Sequence, residues 1–337
     1  MLYRLALKLR HRAYDKGRKK SEKAVLPTVC IGNVTVGGTG KTPHTELCLR
    51  LLKDMKGVAV LSGGYGRKSK GFLKVDPEGK VCDYGDEPLQ IARKFPERVV
   101  AVDKNRLEGC QKLKEDYDCS LVILDDAFQH RKLKADLNVV LVNYSRPVFQ
   151  DKLLPFGRLR DLPERIFKAD VVIVSKCPQD ISEEEKRELA QKLRLEGKGI
   201  ELLYTYIHYL PPKMVFEEGD PRYIYSQRII YMNGIARDRR LRDQLSASYH
   251  IIEEFNFPDH HDFSRKDLEK IEKAARKAKA CAIATTEKDA QRLRSCSFVS
   301  DYLKERLFMI PIEARFCSTE DEALFSLRLK ELGKTAI

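Results

Sequence analysis

The chain has 337 residues, 42% hydrophobic and 34% charged, with a formal charge of +13. That length accommodates two domains, no window offers the run of about 18 apolar residues that a membrane span requires, and the N-terminus lacks the apolar core of a secretory signal. The basic excess favours anionic partners such as a nucleotide, a nucleic acid or an acidic membrane face, although the lack of Trp and the 8% aromatic content offer few base-stacking platforms.

Residues 1–23 are strongly basic, and Leu2, Leu5, Leu9 and Ala13 recur at helical spacing. Such a helix can lie on an anionic membrane surface. It can equally pack its leucines on the domain and show its charges to water, and these residues leave both readings open. The nine cysteines are scattered and never spaced as CxxC, which argues against a disulfide framework or zinc site and fits a reducing, cytosolic setting.

Residues 25–31 form a short β-branched run that predicts a buried strand. It leads into Thr35-Val36-Gly37-Gly38-Thr39-Gly40-Lys41-Thr42, and Leu47, Leu51 and Leu52 beyond are spaced as a helix. Strand, glycine-rich turn, Gly-Lys-Thr and helix in that order predict a phosphate-binding loop. Backbone N–H groups cradle the phosphates, Lys41 reaches the β/γ-phosphates, and Thr42 is placed to ligate Mg²⁺. The strict pattern has glycine where this chain has Thr35, so the Gly37-Gly38 pair is expected to supply the turn.

A second strand at 58–61 runs into the flexible cationic loop 62–71, which includes Arg67 and suits a phosphate. Asp86 and Glu87 open a helix expected to run through Phe95, a position where acids usually serve as caps or dipole partners. A strand at 99–102, a helix at 106–117 and a strand at 120–126 follow. The last ends in Asp125 and Asp126, either metal-holding acids beside the P-loop or a polar turn. Gln129 and His130 continue that segment with polar groups. Strands at 137–142 and 171–174 flank a loop whose Arg158 and Arg160 can clamp phosphate or pair with acids. With a charged helix at 182–195, this alternation predicts an α/β fold: a mostly parallel sheet with helices on both faces.

From residue 201 the pattern changes to extended chain around Pro211-Pro212, read as a hinge. Beyond it the expected elements are a strand at 229–232, a helix at 238–245, a strand at 249–255, a helix at 265–279 and a strand at 281–285. The predicted organisation is a basic helix at 1–23, a nucleotide-binding domain at 24–205, a strand hinge at 206–218 and a smaller α/β domain at 219–337. His260 and His261 lie together in a loop of that domain, but no third spaced ligand cluster supports a metal there.

Seven blocks in order resemble the tetraacyldisaccharide 4′-kinase (lipid A 4′-kinase) family: GNVTVGGTGKTP at 32–43, GYGRKSKG at 64–71, GDEP at 85–88, DDAFQHRKL at 125–133, LLPFGRLRD at 153–161, FPDHHDF at 257–263 and TTEKDA at 285–290. The resemblance spans nearly the whole chain. It implies ATP- and Mg²⁺-dependent phosphorylation of the 4′-hydroxyl of a tetraacyldisaccharide 1-phosphate, in a cleft between two α/β domains. It further implies that Lys41 stabilises the transferring phosphate, that Thr42 and Asp126, with Asp125 beside it, attend the metal, and that Asp86 is the base with His260 as its partner. Arg106, Gln129, His130 and Arg160 match positions at the site. A lipid acceptor favours membrane contact by the N-terminal helix at the cytoplasmic face of the inner membrane, with neither nucleic acid nor a protein partner required.

Two positions depart from the family pattern. Ala127 replaces a glycine, where a backbone needing positive φ would be strained. Gly63 replaces an arginine, whose contact Arg67 or Lys68 is expected to take over. The rival reading is a P-loop switch ATPase acting on a protein partner. Its signature lysine before the paired glycines is Val36 here, and the guanine-reading acid is missing from Ser175-Lys176-Cys177-Pro178.

Overall fold

A strand buried on both faces reads as an unbroken apolar run. In β1 (Thr28–Asn33) Val29 and Ile31 enter one core while Cys30 enters the other. The computed structural model describes residues 2–234, 239–278 and 281–334. Its first sheet continues with β2 (Val58–Ser62), β3 (Leu73–Lys74), β4 (Val99–Val102), β5 (Leu121–Asp125), β6 (Leu137–Asn143), β7 (Val171–Ser175) and β8 (Glu201–Tyr209). The second is built from β9 (Lys213–Met214), β10 (Arg228–Asn233), β11 (His250–Asn256), β12 (Ala282–Thr286) and β13 (Leu307–Ile310). A last strand, β14 (Ile312–Phe316), returns to the first sheet, whose order is β14-β8-β7-β6-β1-β5-β2-β4-β3.

Strands β8 to β4 in that order run parallel, and antiparallel strands close both edges. Helices cover both faces. On one side lie α2 (Lys41–Leu51), the short α3 (Val81–Tyr84), α4 (Asp86–Lys94) and α11 (Thr319–Lys334), whose core residues include Leu47, Leu89, Phe325 and Leu329. On the other lie α5 (Arg106–Tyr117) and α6 (Glu183–Leu193) through Leu113, Leu189 and Leu193. Each fully buried side chain of this kind contributes about 1.5–3 kcal/mol.

The smaller sheet has the order β11-β10-β12-β13-β9. It is flanked by α7 (Arg239–Ser248) on one face and by α8 (Arg265–Ala278), α9 (Glu287–Arg294) and α10 (Asp301–Arg306) on the other. The start of the helix expected at 238–245 and the end of that expected at 265–279 lie outside the described residues.

Two strand crossings join the sheets, β8 into β9 and β13 into β14. The unit expected at 219–337 is therefore divided. Ile312 to Phe316 pair antiparallel with Tyr209 to Thr205, and α11 packs its Phe325 on the P-loop face, so the C-terminal part belongs to the first sheet. The open edge of β8 needed a partner, and the returning chain supplies it.

The N-terminal helix, α1 (Leu2–Asp15), docks through Leu7 and His11. Leu2, Leu5 and Leu9 are 84%, 54% and 58% exposed, so the leucine stripe is not packed on the domain. Among the described residues no helix is long and apolar enough to cross a membrane.

Candidate active site

The loop between β1 and α2 takes its shape from Gly37, Gly38 and Gly40, at φ 67°, 64° and 80°. L-residues avoid this left-handed region, and a Cβ at Gly37 or Gly38 would meet only open space. The loop is tied down on both sides. Asn33 Nδ2 donates to Thr39 Oγ1 at 2.5 Å, Ser175 Oγ donates to the Thr39 carbonyl at 2.8 Å, and the Val36 N–H donates to the Arg158 carbonyl at 2.8 Å. Thr35 sits behind, bridged to Leu159. Lys41 and Thr42 open α2, so the positive end of the helix dipole faces the same space.

The two acids at the end of β5 separate in character. Asp125 is fully buried and accepts from Thr45 Oγ1 at 3.1 Å and Ser62 Oγ at 3.4 Å. Burial, with the negative charges of Glu87 and Asp126, pushes its carboxyl up to about 7. Asp126 turns into the cleft, 3.5 Å from Lys41 Nζ and gripped by both arms of the Arg160 guanidinium, which also donates to Asn33 Oδ1 at 2.6 Å. Burial alone would raise the Asp126 carboxyl, but Lys41 and Arg160 outweigh it and hold it below its ordinary value. The left-handed backbone here falls on Asp126, φ 49°, which an aspartate tolerates. Ala127 is not among the positive-φ residues, so the strain anticipated there is absent.

Across the cleft, the carboxylate of Asp86 at the start of α4 is met by three basic side chains of the second unit. Arg292 bonds Asp86 Oδ2 directly, His260 Nδ1 lies at 3.2 Å and Lys288 Nζ at 3.7 Å. Lys288 also reaches Glu87 at 3.2 Å and His260 Nε2 at 3.3 Å. Arg292 is itself oriented by Asp289 at 2.8 Å and the Gly234 carbonyl at 3.1 Å. Burial would raise the Asp86 carboxyl, but His260, Lys288 and Arg292 hold it far below the usual carboxylate range. Gly37 to Thr42, Asp126 and Arg160 line one side of a cleft of about 430 Å³, with His260, Thr286, Glu287 and Lys288 opposite. An adjoining cavity of about 360 Å³ is lined by Asp86, His260, Arg292, Tyr65, Lys68 and Lys80. His260 opens onto both.

The family model described as tetraacyldisaccharide-1-P 4′-kinase, LpxK, matches residues 1–331. The chain belongs to the tetraacyldisaccharide 4′-kinase family. It is 39% identical over 330 residues to the tetraacyldisaccharide 4′-kinase of Phocaeicola vulgatus, covering 95% of this chain and 90% of that one. To its counterpart in Flavobacterium johnsoniae it is 39% identical over 318 residues, covering 94% and 90%. Among solved structures, LpxK from Aquifex aeolicus in complex with ATP aligns with a TM-score of 0.72 and 28% identity, over 97% of this chain and 96% of that one.

Measured against the positions the family resemblance supplied, this tetraacyldisaccharide 4′-kinase family member brings Lys41, Thr42, Asp126 and Arg160 together around one cleft, with His260 facing them. Others stand elsewhere. Arg67 turns into its own loop, donating to the carbonyls of Gly71 at 2.7 Å and Val102 at 3.4 Å, and so takes over no contact in the cleft. Lys68 lines the adjoining cavity instead. Arg106 is buried and bonds the Asp103 carbonyl, and a Cβ at Gly63 would come within 2.9 Å of its guanidinium. Gln129 donates to the Asn33 carbonyl at 2.6 Å, bracing β1 rather than lining the cleft. His130 faces a separate basic pocket with Arg131 and Arg165, and burial together with Arg106, Lys132 and Arg10 pushes its imidazole down to about 4. His261 leaves its neighbour, stacking on Phe257 and bonding Asp267 at 3.0 Å. Arg292 and Lys288 are the residues that sequence reasoning missed. Their only signal was an i,i+4 pair of cations just beyond Thr285 and Thr286, and one of the pair lay outside the matched block.

Proposed function

We propose that this chain transfers the γ-phosphoryl group of ATP to the 4′-hydroxyl of a tetraacyldisaccharide 1-phosphate, the reaction for which its relatives are named. The observation that carries the reading is the opposition of the Lys41–Asp126 end of the cleft to His260, which pairs with Asp86 in the adjoining cavity. A phosphoryl donor on the P-loop would face a proton acceptor from the other side.

P-loop amides and Lys41 hold the β- and γ-phosphates, and Arg160 fixes Asp126 beside them. Thr42 and Asp126 present oxygen donors to the same space, the ligand type Mg²⁺ takes. When bound, Mg²⁺ neutralises charge on the β/γ oxygens. The bond from the acceptor oxygen to the γ-phosphorus forms as the bond to the bridging oxygen breaks, ADP leaves, and the hydroxyl proton passes to Asp86. A carboxylate held so strongly ionised is a weak base. In a loose transition state the nucleophile needs little activation before bonding, so a weak base that takes the proton late is sufficient.

The outward leucines of α1, set among Arg4, Lys8, Arg10 and Arg12, support peripheral attachment to an anionic membrane surface, the cytoplasmic face of the inner membrane. The test is a mass spectrum of the tetraacyl disaccharide 1-phosphate after incubation with ATP and Mg²⁺ in detergent. A gain of one phosphoryl group that disappears in Lys41→Ala supports the kinase. Unmodified lipid with ATP still hydrolysed favours a switch ATPase.

A further inference from the structure

The N-terminal helix reaches the phosphate site through buried polar contacts that a surface anchor does not need. His11 is 5% exposed, and its Nε2 lies 2.6 Å from Oδ1 of Asp161, which is wholly buried. Arg131 approaches His11 Nδ1 at 3.2 Å. The Asp161 carboxylate can only accept, so Nε2 is the donor aimed at it, while Arg131 also donates to the His11 carbonyl at 3.1 Å. Asp161 adjoins Arg160, and the N–H groups of both residues donate to the Val34 carbonyl, at 3.2 and 2.9 Å. Tyr3 of the same helix donates its hydroxyl to the Arg160 carbonyl at 2.7 Å. Arg160 in turn grips Asp126 and Asn33, and Asn33 holds Thr39 of the P-loop. A second thread converges on the same asparagine: Arg10 donates to the Gln129 carbonyl at 2.7 Å and Gln129 to the Asn33 carbonyl at 2.6 Å.

We propose that α1 is a working part of the phosphoryl-transfer site, with His11 a positioning residue that acts through Asp161 to set Arg160 against Asp126. The helix that exposes Leu2, Leu5 and Leu9 thus also holds the loop carrying the Asp126 clamp. Lipid contact and catalytic geometry share one element. The backbone bonds from residues 158–161 to Val34 and Val36 do not involve His11, so nucleotide binding by the P-loop survives its loss while the aim of Arg160 does not.

This inference rests on the kinase reading, and its test separates the two. The acceptor is a short-acyl disaccharide 1-phosphate kept below its aggregation limit, so that no surface is present and anchoring cannot matter. In His11→Ala and His11→Leu, kcat falls about tenfold with little change in KM for ATP, as expected for a displaced transition-state contact. His11→Gln, which keeps a donor toward Asp161, recovers most of the loss; a merely volume-filling role would be rescued by Leu and not by Gln. Adding His11→Ala to Arg160→Ala costs nothing further, because the pathway is already cut. Thermal melts confirm that each variant is folded at the assay temperature, and Gln against Leu decides the matter if Ala is not. His11→Ala activity equal to wild type, full additivity with Arg160→Ala, or rescue by Leu alone overturns the role of His11. Wild-type enzyme that leaves the acceptor unmodified overturns the kinase reading itself.

Discussion

Arg292 and Asp86 stand 206 positions apart in the chain and meet as a direct ion pair across the cleft, with 4% and 5% of their side chains exposed. A buried carboxylate ligated by a guanidinium, an imidazole and an ammonium stays ionised well into acid. The contact therefore fixes both the charge of Asp86 and the approach of α9 to α4.

Removing that guanidinium raises the Asp86 pKa. Ionised Asp86 is the competent form, so Arg292→Met shifts the acidic limb of the kcat/KM profile to higher pH. The sign for stability agrees: the folded value lies below the ordinary 3.8, so the contact stabilises fully at neutral pH and is lost as the medium is acidified through the folded value. Leaving one partner of a buried pair wholly uncompensated costs roughly 3–5 kcal/mol; because Lys288 and His260 still face Asp86, the loss here falls below that range. A pH–rate series and a denaturant melt of Arg292→Met measure the two effects.

Asp86→Ala lowers turnover by about 10²–10⁴-fold, the usual yield of a positioned base. ATP affinity changes little, because Asp86 does not line the P-loop cleft. Equilibrium titration with a fluorescent ATP analogue beside a turnover assay checks the split. Equal losses would reassign Asp86 to the nucleotide.

The acid pair divides its labour. Asp125 faces hydroxyls and is wholly buried, whereas Asp126 faces Lys41, Arg160 and the cleft. Asp126→Asn is expected to lose about 10²-fold or more in kcat. Asp125→Asn, which keeps the shape and the hydrogen-bonding capacity toward Thr45 and Ser62, retains most activity. Side-by-side kcat measurements decide it.

Asp125 also predicts how stability varies with pH. Its folded pKa, about 7, lies above the unfolded 3.8, so its contribution is fully present below about 4 and disappears as pH rises through 7. Glu46 on α2, buried beside Lys94 and likewise pushed up to about 7 by burial, acts in the same sense. Denaturation midpoints of Asp125→Asn should fall less steeply than wild type between pH 5 and about 8, without becoming flat.

Deleting residues 1–12 removes Leu2, Leu5 and Leu9 along with much of the basic face. Sedimentation with anionic vesicles drops, and the wild-type binding that remains as the reference weakens with added salt. Unchanged sedimentation would assign attachment to another surface.

Legibility followed sequence distance. The P-loop was readable because β1, the glycines, Lys41-Thr42 and α2 are contiguous and each obeys a local rule. The strands through β7, apart from the two-residue edge strand β3, were readable from their apolar runs. The meeting of Asp86 with His260 was reachable only through the family resemblance, since no local pattern pairs residues from two sheets. Arg67 looked like a phosphate ligand by composition and Arg106 matched a site position through the resemblance, yet neighbouring carbonyls captured both guanidiniums, which residue type cannot foretell. Lys288 and Arg292 were overlooked because a short charged helix reads as solvated surface until its partner α4 is known. The return of β14 to β8 was equally silent: five residues beside an open strand edge carry no signal of which sheet they will join.

That return has a consequence for synthesis. The first sheet brackets the second in the chain, and its edge strand and the helix that covers the P-loop face with Phe325 and Leu329 are translated after every strand of the second. While the chain is on the ribosome, the smaller unit has all its strands before the larger one has its final strand. The apolar face around Leu47 and Leu49 thus stays unsealed until residues 319–334 emerge. In that interval the nascent chain offers chaperones the same greasy surface that a truncation before β14 would expose permanently.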